Sequence, residues 1–196
     1  VLMFVELKSS NAKAQLDGLK LTTDHRFYEF LPATLSIKVH NAGNVNVVPR
    51  GDLHIARTNQ PDVALLDINP KGGRVLPDTD RAFVLNWQNG FPIYEVKKDD
   101  QGDNILDKKG KEIKKLRWNI GNLLQLRIGQ YEARAVLVYN DGSRDIPLQT
   151  TTSFWVIPWR LLLGAAVLGY FVLSGLFGNF RRILTIGKQR RNRKIR

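Results

Sequence analysis

Residues 129–143 read GQYEARAVLVYNDGS and predict the fold more directly than any other stretch of the chain. Apolar side chains occupy every second position from Tyr131 to Tyr139, which is the period of a β-strand with one buried face. The turn residues at 140–143 come directly before a second patterned strand. The stretch therefore predicts a β-hairpin.

The same alternation recurs through the first 157 residues. It predicts strands at 35–39, 53–56, 83–87 and 131–139, and shorter runs predict others at 2–8, 19–23, 63–68, 93–97, 112–118 and 148–156. No convincing amphipathic helix appears before residue 155, so the pattern favours a sandwich or barrel. Tyr131, directly after a glycine turn, is typical of the tyrosine corner of immunoglobulin-like domains. We predict an all-β, immunoglobulin-like β-sandwich over residues 1–157.

Residues 88–117 interrupt this pattern with the polar run DDQGDNILDKKGKEIKK. We expect a protruding hairpin insertion with a mobile tip near 99–110. Its oxygen-bearing side chains do not have the spacing of an EF-hand loop, which alternates its ligands and closes on a glutamate. A solvated loop is the favoured interpretation over a calcium site for Asp99, Asp100, Asp103, Asn104 and Asp107.

An uncharged segment, LLLGAAVLGYFVLSGLFGNF, occupies residues 161–180. As a helix rising 1.5 Å per residue it would span about 30 Å, the thickness of a bilayer hydrocarbon core. Pro158 is suited to the first turn of that helix. The sequence thus predicts one C-terminal transmembrane α-helix over 158–180, with interface residues Trp155, Trp159, Arg160, Arg181 and Arg182.

The net charge of +12 lies mostly in the last 16 residues. Residues 181–196 hold eight basic side chains and no acidic one, which leaves 22 basic and 18 acidic residues before them, a net of +4. By the positive-inside rule the tail is predicted to be cytoplasmic, with the N-terminal domain outside the plasma membrane. Contact with an anionic inner leaflet is expected for Lys188, Arg190, Arg191, Arg193, Lys194 and Arg196. The tail has no aromatic residue for base stacking, so nucleic acid is not the expected partner.

Two pairs of small residues lie four positions apart in the apolar segment. This spacing permits close helix–helix packing, and therefore an oligomer or a contact with another membrane protein. The alternative is a helix that simply faces lipid. The predicted packing residues are Ala165, Gly169, Ser174 and Gly178.

No residue pattern predicts catalysis. The chain has no cysteine, and no serine lies in a nucleophile-elbow context. His40 and His54 occupy outward positions of separate predicted strands, with no carboxylate at metal-ligand spacing beside them. We therefore predict no catalytic residue, no cofactor and no metal site.

Three segments resemble the C-terminal part of WxL-interacting surface proteins, which are membrane-anchored proteins of bacterial cell surfaces. The segments are NAGNVNVVPRGDLHI (41–55), LPDTDRAFVLNW (76–87) and IGQYEARAVLVYNDG (128–142). The resemblance implies an immunoglobulin-like domain, one membrane helix, a short basic tail, and protein or cell-wall binding at a bacterial surface. Residues that match the family's turn positions, where positive φ is tolerated, are Asn41, Gly43, Asn44 and Gly51.

We therefore expect a single-pass surface protein whose immunoglobulin-like domain binds another protein or a cell-surface polymer. The alternative is an accessory or structural subunit of a membrane complex, such as a translocon, pilus or secretion machine.

Overall fold

The computed structural model describes residues 11–57 and 59–192, with side chains described as far as residue 175. The chain divides into two compact units, Val1–Ile157 and Pro158–Arg196. The strand predicted at 2–8 lies outside the described residues.

The larger sheet has five strands in the order β2-β10-β9-β4-β5. Its neighbouring strands are antiparallel, except that β2 runs parallel to the end of β10. The strands span Phe27–Tyr28 (β2), Arg50–Arg57 (β4), Asp62–Asp67 (β5), Gly129–Asn140 (β9) and Asp145–Val156 (β10).

The smaller sheet has three antiparallel strands in the order β1-β3-β6. Strand β3 alternates strictly, with Leu35, Ile37 and Val39 completely buried, so one face of this sheet points into the core. The strands span Leu16–Thr23 (β1), Ala33–Asn41 (β3) and Asp80–Trp87 (β6).

Aromatic side chains join the inner faces of the two sheets. Trp87 of β6 packs edge-on against Tyr131 of β9, with ring centroids 5.0 Å apart, and against Phe154 of β10 at 6.1 Å. Phe154 is completely buried. The arrangement is that of a two-sheet β-sandwich around one apolar core, which confirms the predicted mostly-β sandwich.

The hairpin predicted at 129–156 is present, because β9 and β10 pair from Gly129–Val156 to Asn140–Asp145. Asp141 stabilises the turn between them. Its Oδ1 atom accepts hydrogen bonds from the backbone N–H groups of Ser143 (2.8 Å) and Arg144 (2.9 Å). These donors, Arg144 first, hold the pKa of Asp141 below its usual range.

The insertion contains a two-stranded hairpin made of β7 (Ile93–Val96) and β8 (Lys114–Arg117). A short 3₁₀-helix, Ile120–Gln125, then leads to β9. This helix was not predicted, because six residues are too few to show a helical period.

The prediction that Asn41, Gly43, Asn44 and Gly51 occupy positions of positive φ is confirmed only at Gly51, whose φ is +152°. The described non-glycine residues with positive φ are Asn59 and Asp78. Asn41 is completely buried, and its side-chain amide donates to the carbonyls of Val45 (2.8 Å) and Val75 (3.0 Å). The Asn41 side chain therefore links the segments around Val45 and Val75 to the end of β3 through hydrogen bonds.

The two glycines of that segment make close backbone approaches. A Cβ atom at Gly43 would lie 2.2 Å from the carbonyl oxygen of Lys13. Gly51 lies inside β4, not in a turn, and a Cβ there would lie 2.0 Å from the carbonyl oxygen of Val136. Neither site has room for a side chain.

The C-terminal unit is one α-helix, α1 (Trp159–Asn192). It begins where the sequence places a helix start but continues twelve residues beyond the predicted end at 180. Among the described residues, no helix meets the length and apolarity expected of a membrane span.

We predict that Phe154→Ala destabilises the sandwich by about 3–5 kcal/mol, because it empties the centre of the aromatic contact between the sheets. Chemical denaturation of the protein, followed by tryptophan fluorescence, measures this change. Leu65→Ala is the control, since Leu65 is 59% exposed, and its effect should stay within about 0.5 kcal/mol. Equal effects of the two substitutions would contradict the packing described here.

Candidate binding face

The outward side of the five-stranded sheet presents a continuous row of side chains. Cross-strand register places Leu65 of β5 beside His54 of β4, His54 beside Arg134 of β9, and Arg134 beside Thr151 of β10. Each is set outward by the period-two alternation, which buries the sequence neighbours of His54 and Arg134 and half-buries those of Leu65 and Thr151. We call this surface the sheet face and define it by Leu65, His54, Glu132, Arg134, Val136, Gln149 and Thr151.

A shallow cavity of about 400 Å³ lies on the sheet face. Charged and polar side chains line most of it, while Val136 supplies an apolar floor between β4 and β10. Its polar lining includes His54, Asp62, Glu132, Arg134 and Gln149.

Two polar pairs arrange the charges around this cavity. His54 Nδ1 lies 2.6 Å from a carboxylate oxygen of Asp62, and Arg134 lies 3.4 Å from a carboxylate oxygen of Glu132. All four side chains are at least one third exposed, so these pairs add little to stability and can exchange their partners for groups on a ligand.

Among the described residues, the cross-strand neighbours of His54 are Leu65 and Arg134, neither of which is a nucleophile. Thr151, which has a hydroxyl group, lies in the same cross-strand row as His54 but two strands away. At the usual strand spacing that is about 10 Å, beyond the reach of direct proton transfer. Among the described residues, no group of three or more histidine, aspartate and glutamate side chains is placed to hold a metal ion.

His40 and His54 point outward from separate strands, and each has a polar partner that the sequence did not indicate. His54 lies on the five-stranded sheet and His40 on the three-stranded sheet, both outward, so they face opposite sides of the sandwich. Each histidine has one aspartate beside it, although no carboxylate lies at metal-ligand spacing in the sequence. His54 contacts Asp62, and His40 Nδ1 lies 3.0 Å from Asp80. The sequence separation of these pairs, 8 and 40 residues, hid them from any motif search.

The structure places several of the predicted membrane residues. Trp155 points outward from the second-last position of β10 and is 39% exposed. Trp159 and Arg160 begin α1, where the Arg160 guanidinium lies 5.1 Å from the Trp159 ring centroid. Of the small residues predicted to pack against another helix, Ala165 and Ser174 are exposed and Gly169 is half-buried.

The remaining predicted site residues lie outside the described side chains, which end at residue 175. They are Gly178, Arg181, Arg182, Lys188, Arg190, Arg191, Arg193, Lys194 and Arg196.

No family model matches the sequence, and no curated protein matches it either. Among solved structures, the chain is similar to the CARDB domain of a Pyrococcus furiosus protein, determined in complex with di-metal ions. The identity is 11% and the TM-score 0.40, over 76% of this chain and 98% of that one.

The chain is also similar to part of a β-glucosidase from Erythrobacter marinus, with 10% identity, a TM-score of 0.36 and 74% of this chain covered. A β-glucosidase from Listeria innocua has 6% identity and a TM-score of 0.33 over the same share. The chain spans only 16% of either glucosidase. At these identities and TM-scores, no activity or ligand transfers to this chain.

The outward side of the smaller sheet yields a pH-dependent prediction. Asp80 bridges Lys38, whose Nζ lies 2.7 Å away, and His40. The hydrogen bond from Lys38, and then that from His40, lower the pKa of Asp80. A carboxylate with a lowered folded-state pKa stabilises the fold above its unfolded pKa of about 3.9, and this stabilisation is lost as the pH falls further.

We therefore expect Asp80→Asn to lower the melting temperature slightly at pH 7 and to have no effect well below pH 4. Thermal unfolding of both proteins across this pH range measures the difference. In a Lys38→Met background the effect of Asp80→Asn at pH 7 should shrink, because the main cause of the pKa shift is gone. An unchanged effect in that background would contradict the role of Lys38.

Proposed function

We propose that this protein is a single-pass membrane-anchored surface protein whose immunoglobulin-like domain binds another protein or a cell-surface polymer. The observation that carries the anchor is the exposure of large apolar side chains along α1. Leu163 is 62% exposed, Leu168 66% and Phe171 65%. Large apolar side chains exposed on one helix favour a non-aqueous environment, and the uncharged run of the sequence continues to residue 180.

The immunoglobulin-like assignment rests on strand order and on one tyrosine. The short strand β2 pairs in parallel with the last strand, β10, while the remaining pairs of both sheets are antiparallel. Tyr131 is buried at the start of β9, as a tyrosine corner requires. Burial raises the pKa of the Tyr131 hydroxyl, so it stays neutral at physiological pH.

The sheet face is the proposed binding surface. It combines apolar side chains at Leu65 and Val136 with an arginine and several hydrogen-bonding groups. Such mixed surfaces are typical of non-obligate protein interfaces, where arginine is enriched. An open cavity of this kind also suits a polar surface polymer better than an enclosed small molecule.

The anchor predicts a defined topology, which the absence of native cysteine makes easy to test. A single cysteine at Ser143→Cys, in the β9–β10 turn, should react with a membrane-impermeant maleimide in intact cells. A single cysteine at Gln189→Cys, in the basic tail, should react only after lysis. Labelling in the reverse order would invert the topology, and recovery of the protein in the soluble fraction would refute the anchor.

Binding through the sheet face predicts site-specific cross-linking. A photo-cross-linking amino acid at Val136 should capture a partner in intact cells. The matched control is Val84, an exposed valine on the outward side of the other sheet, which should capture none. Equal capture from both positions would contradict a binding surface on the five-stranded sheet.

The second candidate, a subunit of a membrane complex, is favoured by Ala165 and Gly169. These small residues lie one turn apart on α1, and a Cβ atom at Gly169 would meet nothing within 4 Å apart from the adjoining helix backbone and its two chain neighbours. This function predicts cross-links from Ala165 to another membrane protein, with none from Val136.

A further inference from the structure

One end of the sandwich, which we call the base, collects four strand termini. Strand β3 begins there opposite the end of β6, with Ala33 paired to Trp87. Strand β9 begins there opposite the end of β10, with Gly129 paired to Val156. The two sheets share this end, because Trp87 packs against Phe154.

The segment that leads into β9 covers the base with exposed apolar side chains. Leu124 is 100% exposed, Ile120 75% and Leu123 57%. Trp118 is 53% exposed and Leu126 43%. We call these five residues the base patch. Consecutive large apolar side chains at such exposures are unusual on a soluble surface and mark a contact site.

The backbone of the base patch is held in place, so the exposure does not arise from an unattached loop. The Asn119 side-chain amide donates to the carbonyl of Gly90 (2.9 Å), and the backbone N–H of Phe91 donates to the carbonyl of Gln125 (3.1 Å). The Arg127 guanidinium lies 5.7 Å from the ring centroid of Trp87. These contacts tie the segment to the end of β6 while its leucines point away from the core.

Basic side chains accompany the base patch. Lys114, Lys115 and Arg117 belong to β8, directly before it, and Arg127 follows it. Arg117 lies 3.4 Å from a carboxylate oxygen of Glu95 on β7, and Glu95 is also the cross-strand neighbour of Lys115. Between residues 111 and 128 the sole acidic residue is Glu112. Apolar and aromatic groups flanked by lysine and arginine are the composition of surfaces that bind anionic lipid headgroups.

The chain also leaves the domain at the base. The backbone N–H of Ile157 donates to the carbonyl of Tyr28 (2.8 Å), beside the last residue of β10. The uncharged run of the sequence starts four residues later, at Leu161. Phe27, which is 65% exposed, pairs in register with Trp155 at the same end. The two residues add two outward aromatic side chains there.

We propose that the base patch docks into the headgroup region of the bilayer that anchors the protein, with its lysines and arginines on anionic lipids. This inference rests on the proposed membrane anchor. The leucines and Trp118 would enter the interface by about 5–10 Å, as amphipathic surface elements do. The turn at 141–144 lies at the opposite end of β9 and β10 from the base patch, and so serves as the reference position.

Single cysteines in the full-length protein test the proposal, with an environment-sensitive fluorophore at Leu124→Cys or at Ser143→Cys. Strands β9 and β10 separate these positions by about 40 Å. The protein is reconstituted into phosphatidylcholine vesicles, with or without phosphatidylglycerol, that carry a headgroup-level nitroxide quencher. We expect fluorescence loss at position 124, stronger with phosphatidylglycerol, and none at position 143.

Co-flotation of the labelled protein with the vesicles reports the anchor separately. Absence of flotation refutes the proposed anchoring. Flotation without quenching at position 124 overturns the docking alone, and directs the base patch to a protein partner or a second copy. Quenching that does not depend on phosphatidylglycerol also overturns the proposal as stated.

Charge variants in the Leu124→Cys background test the role of the lysines. Lys114→Glu with Lys115→Glu should remove the enhancement by phosphatidylglycerol. Lys13→Glu with Lys71→Glu makes the same charge change at the opposite end of the sandwich and should leave the enhancement intact. Equal loss from both pairs would overturn a specific contact at the base, because long-range charge alone would then explain the effect.

Discussion

The packing of Trp87 against Tyr131 and Phe154 is the contact on which the rest of this structure depends. It joins the two sheets with ring centroids 5.0–6.1 Å apart, and Phe154 is completely buried between them. Because each ring lies at a strand terminus, the contact also aligns the ends of β6, β9 and β10 with one another. This alignment brings the strand termini together at one end of the sandwich and so forms the base.

The two candidate surfaces arise in different ways. The sheet face arises from alternation, since burying Ala133 and Ala135 forces Arg134 and Val136 outward on β9. The base patch lies in the segment that follows the insertion and returns to the sandwich, where Asn119 and Arg127 hold it. One surface is a polar groove suited to a protein or polymer. The other is apolar and basic, as a membrane interface requires.

Strands with strict alternation were predictable, because apolar residues at every second position over nine or more residues match the geometry of a half-buried β-strand and not that of a helix. The β9–β10 hairpin and β3 belong to this class, and their burial patterns match the sequence pattern. The six-residue 3₁₀-helix was not predictable, since it makes only two turns, which is too short to show a hydrophobic period. The function of Asn41 was also misjudged, because its carbonyl partner at Val75 lies 34 residues away.

The sequence by itself determined which residues are inward and outward on each long strand, and where the uncharged segment and the basic tail lie. Hydrophobic period and charge are local properties, so they can be read along the chain. Only the tertiary structure decided which strands are neighbours. It placed His54 beside Asp62 and Arg134, sent His40 to the opposite sheet, and brought the segment around Leu124 to the end where the domain terminates. These juxtapositions depend on pairings between distant parts of the chain, which local patterns do not encode.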